Sequence, residues 1–472
     1  MSANASSSSQ AADSSGESSA QSVGRLGRLR ALPIWRAAGI RDFRLLWASE
    51  AVSLTGDQFH AVAMSWLVIS LTGSGLALGT VLIAVSVPRA LLTMPMGVVA
   101  DRRSPRSLML ASHLARAGIV AAIAVLVASG NASMPALVAL GVLFGCADSA
   151  YLPAQQAFIP RAVGADRLPS ANSLLQGTLQ LMSIAAPPLA GVVVAAAGTG
   201  IAFGVDAVSF VLAAGLIALT TGAATMAVAR TGRGDANRAT AAAAAPDAPG
   251  TTAGPKSTPH AEPEPFMRSL VGGLRYVVED RAIGVMIAVS LVLNFALVGP
   301  AAVGMPWLAQ LRFHAGATGL GLLAAGWAVG GLVGTVLAGN AKLQRQGRRL
   351  LLAIAVSGIA TAAVGLVSSL ALAAGLFAVA GVCIGYVNIV AISWLQARVE
   401  VAMLGRVMSL AMLAGIGVTP ISMAVAGVLI DLDATELFVS AGVLVVLATI
   451  GAYRLGLAEL FDTPRPPATA HG

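Results

Sequence analysis

Residues 76–129 read LALGTVLIAVSVPRALLTMPMGVVADRRSPRSLMLASHLARAGIVAAIAVLVAS. Two apolar runs, 76–99 and 107–129, flank a short basic turn that holds Asp101, Arg102, Arg103 and Arg106. A helix needs about 20 mostly apolar residues to cross the hydrocarbon core of a bilayer, and each run has that length. The stretch reads as two successive membrane-crossing helices joined by a charged turn.

Working outward, the same pattern recurs. Expected spans are 45–71, 76–99, 107–129, 135–157, 170–196 and 200–222, then 283–310, 317–340, 350–369, 371–394, 406–430 and 437–457. The joins near 196–200 and 369–371 are the shortest. The composition agrees: 57% of the 472 residues are hydrophobic and 11% charged, with a mean hydropathy of +0.82. Soluble domains carry about 25% charged residues, so a soluble enzyme is excluded. The expected fold is all-α, with twelve transmembrane helices in two six-helix halves, 45–222 and 283–457.

The polar segments complete the layout. Residues 1–44 read as a disordered basic tail, Ser- and Ala-rich at first and then bearing Arg25, Arg28, Arg30, Arg36, Arg41 and Arg44; they contain neither a signal peptide nor a span. Residues 223–282 form a polar linker whose low-complexity part, 239–265, is expected to be disordered. Within it, 266–281 alternates Leu270, Leu274, Val277 and Val278 with Arg268, Arg275 and Glu279, the pattern of a helix lying on the membrane surface. Residues 458–472 form the C-terminal tail. With the N-terminus inside, all of the 29 Lys and Arg except Arg89, Arg116 and Arg312 fall in the tail, linker and loop segments on that side. The positive-inside rule then places both termini in the cytoplasm. It also accounts for the net charge of +8 without a nucleic-acid partner. The lipid bilayer is the expected partner, and a monomer the expected state.

An internal repeat supports two halves. An offset of 237 carries Gly97 onto Gly334, Cys146 onto Cys383 and Asp57 onto Asn294. Six spans, a polar linker and six spans is the layout of transporters that rock two halves about a central site.

The first span carries the most chemistry. Glu50, Ser53, Asp57, His60 and Met64 are spaced 3, 4, 3 and 4 apart, so they share one helix face. Asp57 lies roughly 18 Å along the helix from Leu45 at 1.5 Å per residue, near mid-bilayer. A carboxylate there is expensive unless paired, hydrated or protonated. Asp57 is read as a proton or substrate site, or as a structural hydrogen-bond partner; His60 is close enough in sequence to share its proton, and Glu50 is read as a weaker candidate that can snorkel to water. Arg89, Arg116 and Asp148 sit at comparable depth, which invites pairing, either as a static bridge or as a pair released by a proton. Asp206 is read as structural. In the second half Asn294, Asn388, Trp307 and Gln310 are candidate cavity polars. Gly326, Gly330 and Gly334 form a close-packing ladder. Cys146 and Cys383 are buried, reduced thiols. No metal-ligand cluster, catalytic constellation or phosphate-binding loop occurs, so no cofactor and no enzyme activity are expected.

At Gly97-Val-Val-Ala-Asp101-Arg102-Arg103-Ser-Pro-Arg106 the chain resembles the loop 2–3 signature of the major facilitator superfamily, Gly-x-x-x-Asp-Arg followed by basic residues. Phe158-Ile-Pro160-Arg161, Arg167-Leu-Pro-Ser-Ala171-Asn172-Ser173, Asp206-Ala-Val-Ser-Phe210 and Gly405-Arg406-Val-Met-Ser409 look like a subgroup that holds enterobactin-type siderophore exporters and macrolide efflux proteins. The resemblance covers about residues 40–460. It implies a bacterial inner-membrane secondary transporter that exports a small organic molecule by alternating access, with protons as coupling ion. It makes Gly97, Asp101, Arg102 and Arg106 a cytoplasmic gate latch. Ala186-Pro187-Pro188-Leu-Ala190-Gly191 is similar to the family's antiporter motif Gly-Pro-x-x-Gly-Gly, with Ala for two glycines. The arginine motif that drug antiporters carry in span 4 is missing; Asp148 stands there instead. Two alternatives remain open: an importer of a small metabolite, and a non-transporting sensor or scaffold acting through the central linker.

Overall fold

The computed structural model describes residues 36–221, 266–339 and 346–462. Most of the expected N-terminal tail, the linker 223–265, the loop at 340–345 and the tail beyond 462 lie outside the described residues. Among the described residues every regular element is helical: α1 (Arg41–Thr72), α2 (Gly75–Arg102), α3 (Pro105–Ala128), α4 (Met134–Asp148), α5 (Tyr151–Val163), α6 (Leu168–Ala218), α7 (Phe266–Glu279), α8 (Arg281–Gly299), α9 (Gly316–Gly339), α10 (Gly347–Val364), α11 (Leu370–Arg398), α12 (Val401–Leu432), α13 (Ala434–Arg454) and α14 (Leu457–Asp462). Among these residues nine helical segments have the length and hydropathy of a membrane crossing. Two of them join neighbours: Met134–Val163 runs α4 into α5, and Arg281–Arg312 extends α8. That extension widens to π-turns at Pro300–Gly304 and Leu308–Arg312.

The helix ends follow from local chemistry. Ser74 accepts from the Ala77 N–H at the start of α2. Asp280 accepts from Ala282 and Ile283 at the start of α8, and Asp433 from Thr435 at the start of α13. Each satisfies amide donors that a helix N-terminus leaves bare. α6 is 51 residues long with a break at Gly198, where φ is 84° and ψ 167°. The contacts of its far end show that the break reverses the chain. Arg106, at the start of α3, donates to Ile217 O at 3.2 Å and to Ala218 O. The Thr221 N–H donates to Asp42 Oδ1 at 3.0 Å, at the start of α1. Both arms therefore return to one end of the bundle, and the expected join near 196–200 is a hairpin turning on Gly198.

The first and second parts of the chain meet through α2 against α12 and α6 against α9. Both seams are made of small residues, which let backbones approach closely. A Cβ at Gly79 would fall 2.9 Å from Met423 O, and one at Gly427 would fall 2.9 Å from Gly75 O. On the other seam a Cβ at Gly321 would lie 2.7 Å from Pro187 O, and one at Gly191 would strike Ala317 O. Asp431, near the end of α12, bridges the first seam. Its Oδ1 accepts from the Gly75 N–H at 2.6 Å; its Oδ2 accepts from the Ser74 hydroxyl at 2.6 Å and the Leu76 N–H at 3.1 Å. These contacts gather at the end that carries Gly73, Gly198 and Asp433. Toward the opposite end α2 exposes Leu91, Met94 and Val98, and a Cβ at Gly97 would meet nothing within 4 Å. Among the described residues these seams join the two parts of the chain at the first end, and α2 has no such seam at the second, splayed end.

The glycine ladder on α9 packs on α11. Cβ atoms at Gly326, Gly330 and Gly334 would run into the carbonyls of Ala374, Ala378 and Val382. The surface helix expected over 266–281 runs from Phe266 to Glu279. It stops there because Asp280 turns out to an extended conformation to cap α8. Leu274 and Val278 are exposed on it, beside an Arg275–Glu279 ion pair at 2.7 Å. The expected C-terminal tail begins as α14, which is docked. Trp394 stacks on Phe461 (4.8 Å between centroids, 12° between planes) and donates from Nε1 to Phe461 O at 2.9 Å.

Candidate functional site

The polar face of α1 points toward α3, α5 and the second arm of α6. Gly56 permits this: a Cβ there would lie 2.6 Å from Asp206 Oδ1 and collide with Ser209 Oγ. The close approach brings His60 Nδ1 to 3.0 Å from Asp206 Oδ2. Asp206 is fully buried, and its Oδ1 has no hydrogen-bond partner. The imidazole stacks on Phe144 at 4.9 Å and meets the edge of Phe203 at 5.5 Å. His60 is thus the partner of Asp206 and not of Asp57.

Glu50 turns inward rather than to the surface. It accepts from the Tyr151 hydroxyl and from Gln155 Nε2 at 2.8 Å. Asp57, between Glu50 and His60 on the same face, is half-buried and has no hydrogen-bond or ion-pair partner among the described residues.

The three other intramembrane charges converge. Asp148 Oδ1 lies 3.0 Å from Arg116 Nη1, and Oδ2 lies 3.1 Å from Arg89 Nε. Gly145 makes this possible, since a Cβ there would strike Val85 O and hold α4 off α2. Arg116 is 2% exposed and is caged: its guanidinium lies 4.4 Å from the Phe210 ring centroid and 4.9 Å from that of Tyr151. Its Nη2 lies 3.0 Å from His113 Nδ1. Arginine only donates, so Nδ1 accepts and the His113 ring proton sits on Nε2, which is buried without a partner. The result is a desolvated network, Glu50–Tyr151 beside Arg89–Asp148–Arg116–His113. Removing one partner of such a pair costs about 3–5 kcal/mol, because a buried charge is left bare.

The second part of the chain differs. Here Arg275 pairs with Glu279 and Arg398 with Asp280, both at the splayed end. Burial pushes the Asp280 carboxyl up, but the hydrogen bond and charge of Arg398 and two backbone N–H groups outweigh it and hold it below its usual range. At membrane depth the polar groups are amides and hydroxyls. Ser290, Asn294 and Asn388 line a cavity of about 100 Å³ with Met286, Leu395 and Met408. Asn294 Nδ2 donates to Ser290 O at 2.9 Å. Gln310 lies in the second π-turn, and its Oε1 is buried without a partner, as is the Tyr386 hydroxyl.

The residues of the expected latch and antiporter motif separate. Arg106 binds the end of α6, Arg102 is exposed, and Gly97 meets no neighbour; the side chain of Asp101 lies outside the described residues. Pro187, Pro188 and Gly191 form the α6–α9 seam. Sequence reasoning missed Tyr151, Gln155, His113 and Asp431. The first three lie three or four residues from Asp148, Tyr151 and Arg116, on helix faces that those positions imply. Asp431 looks like an ordinary loop-flanking acid. No group of three or more His, Cys, Asp or Glu suited to a metal ion occurs among the described residues.

A family model described as a transmembrane secretion effector matches residues 35–240. An MFS-type transporter of Bacillus subtilis, YvqJ, is 32% identical over 34% of this chain, and the match spans 36% of that relative. A second, y4rN of Sinorhizobium fredii, is 26% identical over 86% of this chain and 93% of its own length. Among solved structures, a bacterial homologue of the iron transporter ferroportin in its inward-facing state aligns with a TM-score of 0.65 at 17% identity, covering 90% of this chain and 99% of that one. A bacterial homologue of the lysosomal transporter Spinster, inward-facing and occupied, aligns with a TM-score of 0.61 at 14% identity, covering 91% and 99%. At these identities the structures speak for the fold alone.

Proposed function

We propose that this chain is a membrane transporter of the major facilitator type that exports a small organic molecule across the bacterial inner membrane by proton-coupled alternating access. Twelve crossings in two halves, with both termini cytoplasmic, complete the reading. The observation that carries it is Asp57, a half-buried carboxylate at membrane depth with no partner among the described residues. A structural carboxylate would be expected to hold a partner. Asp57 is instead free to exchange a proton. The closed seam at Asp431 and the splayed end near Gly97 support a state open to the cytoplasm.

Export is favoured over import by the Pro187-Pro188-x-x-Gly191 seam and by the resemblance to the siderophore- and macrolide-exporting subgroup. The test is substrate-blind. Cells with and without the chain are compared by mass spectrometry of their small-molecule content, with and without a protonophore. Export predicts at least one compound depleted inside by the wild type, with the depletion lost under protonophore. A compound enriched inside would establish the importer. An unchanged content, with a phenotype that depends on residues 239–265, would establish the scaffold.

A further inference from the structure

Arg89 is the exposed cation of the network. It stands at the centre of α2, about 20 Å from either end at 1.5 Å per residue, while an arginine side chain reaches only a few ångströms. It cannot snorkel to either headgroup layer from there. Yet its side chain is 56% exposed, against 3% for Arg116 and 12% for Asp148. A guanidinium exposed at that depth faces water in the cavity between the halves, because lipid does not solvate it.

Its bonding leaves a function open. Arg89 meets Asp148 through Nε, and its two Nη groups have no partner among the described residues. Those groups form the planar fork that binds carboxylates and phosphates through two parallel hydrogen bonds. Asp148 is shared with Arg116, so one carboxylate serves two guanidiniums. The Arg116 guanidinium is walled in by the Phe210 and Tyr151 rings, which leaves Arg89 as the guanidinium of the network that a ligand can reach. Across the membrane-depth part of the second half, the described polar groups Ser290, Asn294 and Asn388 are uncharged and offer no competing cation.

We propose that Arg89 is a substrate-binding residue and that the transported molecule carries an anionic oxygen group, a carboxylate or a phosphate. The anion takes the free Nη fork, and Asp148 remains with Arg116. This rests on the reading of the chain as a transporter, but not on the role of Asp57.

The test uses the purified full chain in detergent and follows thermal unfolding with added salicylate, phenyl phosphate, neutral salicylamide and cationic benzyltrimethylammonium. Both anions should raise the unfolding temperature in a saturable way, and the neutral and cationic compounds should not. Arg89→Gln should weaken the apparent anion affinity at least about tenfold, the scale of a lost charge-assisted contact. If Arg89→Gln fails to fold, Arg89→Lys serves: it keeps the charge but loses the fork, so the anion affinity should still fall. Stabilisation by the neutral or cationic compound as strong as by the anions overturns the proposal. So does an anion effect unchanged in the Arg89 variants, or no anion effect at all. Failure here leaves proton-coupled export standing, whereas unaltered coupling in Asp57→Asn would leave the anion site standing.

Discussion

Asp431 on the N-terminus of α2 sets the stability of the closed end, and its removal should open that end. The carboxylate accepts three hydrogen bonds, from Ser74, Gly75 and Leu76. Hydrogen bonds to charged groups contribute about 1.5–3 kcal/mol when buried. Two of these three are exposed, so about 0.5–1 kcal/mol each is the appropriate scale. The helix dipole adds about 0.3–1 kcal/mol. In Asp431→Asn the amide still accepts through one oxygen, so the net loss should be about 1–2 kcal/mol. At 1.4 kcal/mol per tenfold, the closed-to-open ratio falls by about five- to thirtyfold. The assay is a pulsed electron resonance distance between spin labels at Ser129 and Leu366. These positions flank loops at the closed end in opposite halves, and Cys146 and Cys383 are replaced beforehand. The wild type should show mainly the short distance, and Asp431→Asn a larger long-distance population. Identical distributions would refute the assignment of Asp431 as the fastening at this end.

Further expectations concern packing and the splayed end. Gly330→Val should push α9 away from Ala378 and destabilise the chain by about 1–3 kcal/mol, read as a lower unfolding temperature and a broader size-exclusion peak. Because its carboxyl is held below the ordinary 3.8, Asp280 contributes stability above that value and loses it as pH falls through its folded value. Unfolding temperatures of wild type and Asp280→Asn should therefore differ at neutral pH and converge in acid. Trp394→Ala removes the stack and hydrogen bond that hold α14; deuterium exchange over 457–462 should accelerate while α9 is unaffected.

How much was legible in the sequence depended on whether a feature is local. Apolar runs and basic turns marked the crossings, because the bilayer solvates one and excludes the other. The turn at Gly198 was visible only as a short join, since α6 is apolar on both sides of it. The 3-4 spacing placed Glu50, Asp57 and His60 on one face, and similar depth brought Arg89, Arg116 and Asp148 together. The identity of the partners was not local. Asp206 lies 146 residues from His60, and it reaches His60 because Gly56 lets two helices touch. Asp431 was invisible for the same reason, being defined by a helix end 357 residues away from it. A direction of packing, inward between helices or outward to the central cavity, cannot be read from one helix alone.

The central claim is that proton entry through Asp57 drives export. Inverted membrane vesicles with an imposed pH gradient, acid inside, should take up the compound identified in whole cells, and the uptake should collapse when the gradient is dissipated. Asp57→Asn, inserted at wild-type levels, should abolish gradient-driven uptake while still exchanging compound across the membrane at equal pH. Gradient-driven uptake by Asp57→Asn at the wild-type rate would contradict the account.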